Sequence, residues 1–224
     1  MMYHKINSIF KRDMDTVERL FILGEYADPA IEYLKNNRWD FTEKIDGTNT
    51  RVMFDGKRMS FGGRTENAQM PIPLIEKLQE YFTYDKLKAV FPPEKVSDMP
   101  IPTVTLYGEG CGFKIQKGGD RYVNKEKRVD FILFDVRVGD LFLRRDDVQD
   151  IAHSLGIKSV PLVGHGTIDE AIEMASNGFE SIYGDFMAEG LVLRPSIELC
   201  DRRGHRIVTK VKHKDFVNLR ENAR

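Results

Sequence analysis

The sequence predicts an α+β fold built on antiparallel sheet, and three observations carry that expectation. Strand-like apolar runs face each other across short turn signals at three places. Helical spacing of apolar residues occurs in fewer segments, each with its own start or stop signal. Most connections between these segments are short.

Taken in chain order, residues 1–39 read as an N-terminal extension packed on the main domain, with Lys5, Lys11 and Arg12 near apolar anchors in "YHKINSIFKRD". "TRVMF-DG-KRMSF" sets Asp55-Gly56 between two strand-like runs, a two-residue hairpin signal. Leu74, Ile75, Leu78, Tyr81 and Phe82 follow helical spacing behind Pro71 and Pro73. "FPPEKVSDMPIP", residues 91–102, reads as a surface connection. "VDFILFDV" is an almost unbroken apolar run, the pattern of a buried strand, and it leads into a second hairpin at Gly139-Asp140. Val148, Ile151, Ala152 and Leu155 predict a helix stopped by Gly156. Thr167 and Glu170 form a capping box for another that ends near Gly178. "IELCD-RRG-HRIVTKV" gives the third hairpin. With no repeat, low-complexity tract or linker, a single domain over residues 1–224 is expected.

Composition narrows the function. A chain of 224 residues can bury a substantial core. No apolar run approaches the roughly 18 residues of a membrane helix, and "MMYHKINSIFKRDMD" lacks the apolar centre of a signal peptide. Cys111 and Cys200 have no second Cys or His at metal-ligand spacing, so a zinc site is not expected and a reduced cytosolic compartment is. A net charge of −1 argues against coating nucleic acid by bulk attraction. A local basic groove stays open, and "RRGHRIVTKVKHK", residues 202–214, offers one, although a solvated strand pair is its plainest reading.

The chemistry centres on "TEKIDGTNTR", residues 42–51, where Lys44 stands between Glu43 and Asp46. A lysine amine attacks an electrophile only when unprotonated, and its ordinary pKa lies near 10.4. Partial burial and neighbouring cations correct this. Lys210 and Lys212 in "IVTKVKHKDF" would share one strand face, where they can both act on the nucleophile and hold phosphate oxygens. Glu109 in "TLYGEGCG" and Glu189 in "AEGLVLRP" stand beside glycines at strand ends, suited to magnesium, its waters or a ribose hydroxyl. Phe134 reads either as core or as a ring face for a purine.

The order Lys-x-Asp-Gly, "FGGRT" with Arg64, "YGEG", "FILFDV", "EGLVLR" and "VTKVK" resembles the covalent nucleotidyltransferase superfamily of polynucleotide ligases and messenger-RNA capping enzymes. The resemblance runs from about residue 40 to the end. "EKIDGTN" resembles the RNA ligases of the second phage type and the trypanosome RNA-editing ligases, whose pattern is Glu-Lys-x-His/Asp-Gly-x-Asn. It implies the antiparallel-sheet ligase adenylation fold and an ATP- and Mg2+-dependent RNA ligase. Lys44 would form lysyl-AMP, pass the adenylate to an RNA 5′-phosphate, and a 3′-hydroxyl would then seal the strands.

By the same match, Glu109 would contact the ribose, Phe134 would stack on adenine, and Glu189 would help to hold magnesium. Lys210 and Lys212 would bind the α-phosphate, while Arg64 and Asn49 would engage the adenylate or RNA phosphates. Glu43 and Asp135 are lesser candidates; Asp135 can equally fix its own strand. Lys114, Lys117 and Arg121 in "GFKIQKGGDRY" can guide an RNA backbone or merely decorate a loop. Only 12 residues follow Lys212, too few for the oligonucleotide-binding barrel or helical module that many ligases carry there. A monomer is expected. A minimal DNA ligase would share every motif. A GTP-using capping enzyme is disfavoured by the "GTN" after Asp46, and a silent RNA-end-binding protein by the intact lysines and carboxylates.

Overall fold

The structure, a computed structural model, describes residues 3–92, 102–123 and 128–222. Most of the expected 91–102 connection lies outside the described residues. The chain divides into two compact units: a terminal unit of His4–Ile45 and Pro161–Arg224, and a central unit of Met1–Tyr3 and Asp46–Val160.

The first stretch of the terminal unit holds β1 (Asn7–Ser8), the paired β2 (Phe10–Arg12) and β3 (Phe21–Tyr26), α1 (Pro29–Leu34) and β4 (Trp39–Glu43). Asp28 starts α1 by accepting from the Ala30 amide, a donor that the first turn leaves free.

The central unit follows with β5 (Thr48–Phe54), β6 (Met59–Gly63), α2 (Ile72–Tyr81), α3 (Tyr84–Val90), β7 (Val104–Gly112), β8 (Val129–Val138), β9 (Leu141–Phe142), α4 (Arg145–Leu155) and β10 (Lys158–Ser159). Its sheet runs β10-β8-β7-β5-β6, with β9 also on β8. Alternation sends Val52, Phe54, Leu106, Phe131, Leu133 and Val136 into a core with Leu74 and Leu78 of α2, Leu87 of α3 and Val148, Ala152 and Leu155 of α4. The opposite face carries Asn49, Glu109 and Ile132 in register, then Tyr107 opposite Asp135. The α2 and α4 helices lie where periodicity placed them, and Gly156 closes α4 at φ 68. Gly139-Asp140 makes the expected two-residue hairpin, with Val138 opposite Leu141. The turn at Asp55 is longer than its sequence suggests. Phe54 pairs with Met59, and the Asp55 carboxylate accepts from the Lys57 and Arg58 amides, so those two residues join the loop.

The chain then completes the terminal unit with β11 (Leu162–Gly166), α5 (Ile168–Asn177), β12 (Gly190–Pro195), β13 (Thr209–Lys212) and α6 (His213–Asn222). The sheet order is β1-β13-β12-β4-β11, antiparallel except for the β1–β13 pair. Trp39, Phe41, Leu191, Leu193 and Val211 cover one face and pack on Ile168, Ala171 and Ala175 of α5 and Phe216 of α6. Burying each large apolar side chain there is worth roughly 1.5–3 kcal/mol. The Thr167–Glu170 capping box forms as expected.

The third hairpin differs from its prediction. The β12 ladder pairs "GLVLRP" with "TKVK", while the Arg202–Gly204 tip is closed outside that ladder by the Cys200–Arg206 bridge, the Asp201 amide donating to the His205 carbonyl and the Ile207 amide to that of Leu199. No helix among the described residues is long and apolar enough to cross a membrane. Both cysteines are free, Cys111 buried and Cys200 exposed. Burial, reinforced by the Asp130 carboxylate, pushes the Cys111 thiol up to about 12.

Candidate active site

In the terminal unit the face opposite the apolar core carries the predicted nucleophile. Strand alternation that turns Phe41 and Glu43 inward turns Thr42 and Lys44 outward. Lys44 extends β4 by one step, its amide donating to the Gly190 carbonyl. On β13, Lys210 lies opposite Val192 and Lys212 opposite Gly190. The three lysines therefore share a face.

Glu189 organises them. Its Oε2 accepts from Lys44 Nζ at 2.7 Å, and its Oε1 lies 2.6 Å from Lys212 Nζ. All three groups are partly buried, so both ion pairs are worth more than a surface pair. Removing the carboxylate would leave ammonium groups facing each other without their counter-charge, the costly way to break such a site. Gly190 sets this approach. It holds φ 151, and any Cβ there would collide with the Val211 carbonyl.

Lys210 is the lysine whose charge the site disfavours. Burial first, then the Lys44 and Lys212 ammoniums, lower it from 10.5 to about 8, against a smaller opposing pull from Glu189; Lys5 adds a further repulsion. Lys210 is thus charged at neutral pH, yet close to losing its proton.

Among the predicted residues of the terminal unit, Glu43 is the one that does not reach this face. It is fully buried, accepting from Ser181 Oγ at 2.6 Å and from the Ile182 amide at 3.3 Å. Burial raises its pKa while those two hydrogen bonds pull it down. Its position ties the 181–182 turn to β4, so contact with a ligand on the lysine face is not available to it.

In the central unit, Asn49 and Glu109 are opposed residues of β5 and β7 on the face away from the helices. Phe134 occupies a bulge. The β7–β8 register passes from Tyr107↔Asp135 to Gly108↔Leu133 and skips it, leaving the ring half-buried. Tyr3 meets that ring edge-on at 5.2 Å and donates its hydroxyl to buried Asp135 at 2.5 Å. Asp135 therefore anchors the N-terminal tyrosine to its strand. Arg64 is exposed just beyond β6.

Two contacts escaped the sequence reading. Tyr3 bonds 132 residues away, and no local pattern signals such a contact. Asp46 is visible in the Lys-x-Asp-Gly run, but nothing local signals that its carboxylate packs against Gly118, where a Cβ would come within 2.5 Å of Oδ2.

A metal fits this donor set only in a limited way. Among the described residues no three His, Cys, Asp or Glu side chains cluster as ligands. Glu189 alone suits a magnesium ion that draws most of its ligands from phosphates and water.

The RNA ligase family profile matches residues 37–212. Solved structures of similar fold include RNA ligases of Naegleria gruberi. A lysine-to-alanine variant with ATP and manganese aligns at TM-score 0.63 and 18% identity, over 87% of this chain and 54% of that one. The enzyme with pyrophosphate aligns at TM-score 0.63 and 20% identity, over 87% and 55%. A second lysine-to-alanine variant with ATP and manganese covers 99% of this chain and 62% of that one, at TM-score 0.63 and 18% identity. The chain thus spans a little over half the length of these proteins, and at such identities the likeness is one of fold.

Proposed function

The chain belongs to the RNA ligase family, and from that premise we propose that it is an ATP-dependent ligase joining RNA 5′-phosphate and 3′-hydroxyl ends. The carrying observation is Lys44 held at 2.7 Å from Glu189 on a face that also presents Lys210 and Lys212. The "EKIDGTN" run supports the second phage type as its branch.

In the first step the Lys44 Nζ lone pair attacks the α-phosphorus of ATP. A P–N bond forms, the bond to the β-phosphate oxygen breaks, and pyrophosphate leaves. The proton that Lys44 must lose has Glu189 Oε2 as the closer of its two acceptors, the Ile45 carbonyl lying at 3.4 Å. Lys210 and Lys212 meet the negative charge that grows on the phosphoryl oxygens, which is where such sites do most of their work. Glu189 would hold a magnesium ion, which would supply further neutralisation of that charge.

For the nucleoside, the Phe134 ring gives a stacking face and Glu109 a ribose acceptor, with Asn49 beside it. Attack of an RNA 5′-phosphate oxygen on the adenylate frees Lys44. Attack of a 3′-hydroxyl on the activated RNA then seals the strand and releases AMP.

The test is label transfer from α-phosphate-labelled ATP to the protein with magnesium, beside labelled GTP and a Lys44→Ala variant. Label from ATP alone, absent in the variant, is the expected result. Label from GTP moves the protein to capping chemistry, and no label in a folded sample free of prior adenylate removes the enzyme reading. Sealing of 5′-phosphorylated RNA against DNA of the same sequence then fixes the polymer.

A further inference from the structure

Directly after β7 the chain forms a loop that the adenylate chemistry leaves without a task. Phe113, Lys114, Ile115, Gln116, Lys117 and Asp120 line an open cleft of about 390 Å³. Phe113 is 57% exposed, unusual for so large an apolar ring, and Lys114 Nζ stands 5.8 Å from its centroid. Lys114 also adopts φ 65, a conformation costing a residue with a Cβ about 1–2 kcal/mol. The backbone holds it there. Phe113 donates to the Arg128 carbonyl at 2.7 Å, and Ile115 to that of Gly112 at 3.2 Å. The loop's far end, Gly118-Gly119, closes on Asp46, where Cβ atoms would meet its carboxylate and its carbonyl. The loop is therefore a fixed shelf, and Asp46 follows Lys44 by only two residues.

We propose that this shelf is a subsite for an unpaired nucleotide at an RNA end, with Phe113 stacking on the base and Lys114 and Lys117 holding the adjoining phosphates. The inference rests on the ligase reading and adds where and in what form the polymer is gripped. An exposed ring on a loop can stack only on a base whose face is free, which a continuous duplex does not offer. The Asp120 carboxylate in the same lining repels phosphate, which leaves Lys114 and Lys117 as the phosphate contacts.

The experiment is fluorescence anisotropy of a short 5′-phosphorylated RNA, as a single strand and as a blunt duplex. The proteins compared are the unmodified chain, Phe113→Ala, Phe113→Tyr and the double variant Lys114→Ala/Lys117→Ala, each checked by thermal melting. Phe113→Ala is expected to weaken single-strand binding roughly tenfold, as loss of one stacked base does. Phe113→Tyr should bind like the unmodified chain, and duplex affinity should not change. The double lysine variant should lower the slope of log affinity against log salt by about 1.4, two contacts at roughly 0.7 each.

Equal single-strand affinity with and without the Phe113 ring overturns the subsite. So does an equal loss for strand and duplex. Failure of the unmodified chain to bind RNA in either form overturns it as well, and label transfer to Lys44 then tells separately whether the adenylate chemistry stands.

Discussion

At the scale of single residues, Lys210 yields the sharpest expectation. Its folded-state pKa of about 8 lies below the ordinary 10.5, chiefly because of burial and then the neighbouring ammoniums. ATP affinity should therefore fall as pH rises through about 8, where the phosphate-facing charge disappears. In Lys210→Arg, which keeps its charge, the fall should be absent. The effect on stability has the opposite direction. Between about 8 and 10.5 the unfolded chain holds more protons at this position, so resistance to urea should rise across that window, and Lys210→Met should remove the rise. Period-two alternation points at Lys210 and Lys212, the neighbouring glycine at a strand end points at Glu189, and motif order points at all of them together with Lys44. The same alternation explains Glu43, which adjoins Lys44 in the chain and faces the opposite side of the sheet. The family resemblance makes it a lesser candidate for ligand contact, and the Ser181 hydrogen bond engages it on the core side instead.

Elements were legible where one local signal suffices. The α5 capping box, the Gly156 stop of α4 and the Gly139-Asp140 turn needed only a few neighbouring residues. The four-residue loop at Asp55 was missed because a side chain satisfying two amides outweighed the two-residue preference of its Asp-Gly pair. The α6 helix was hidden inside a basic tail; its buried Phe216 acquires meaning only from the core it joins. The bulge at Phe134 could not be read either, since a bulge is a property of two paired strands and a sequence displays one at a time. Gly190 tests element geometry directly. Gly190→Ala forces a Cβ onto the Val211 carbonyl and should destabilise the protein by about 2–4 kcal/mol, read as a lower urea midpoint. Lysyl-AMP formation should fall with it, because Glu189 precedes that glycine by one residue.

At the scale of the whole molecule, the chain forms two compact units, each with its own hydrophobic core, sheet and helices. The division is hard to read from sequence because the terminal unit is assembled from segments on both sides of the central one. Trp39, the sole tryptophan, is fully buried in the terminal core. Leu193→Ala in that core should cost about 2–5 kcal/mol. The midpoint read by tryptophan emission should fall at least as far as that read by far-UV circular dichroism. The two thiols give the chain a different kind of usefulness. Maleimides react with thiolate, which Cys111 scarcely forms when its thiol is buried and pushed up to about 12, whereas Cys200 lies open to solvent. One dye per molecule can therefore be placed on the unaltered protein, beside the Arg202–Gly204 tip and on the unit that contains Lys44. Ligand titrations can then be followed by emission without engineering a single codon.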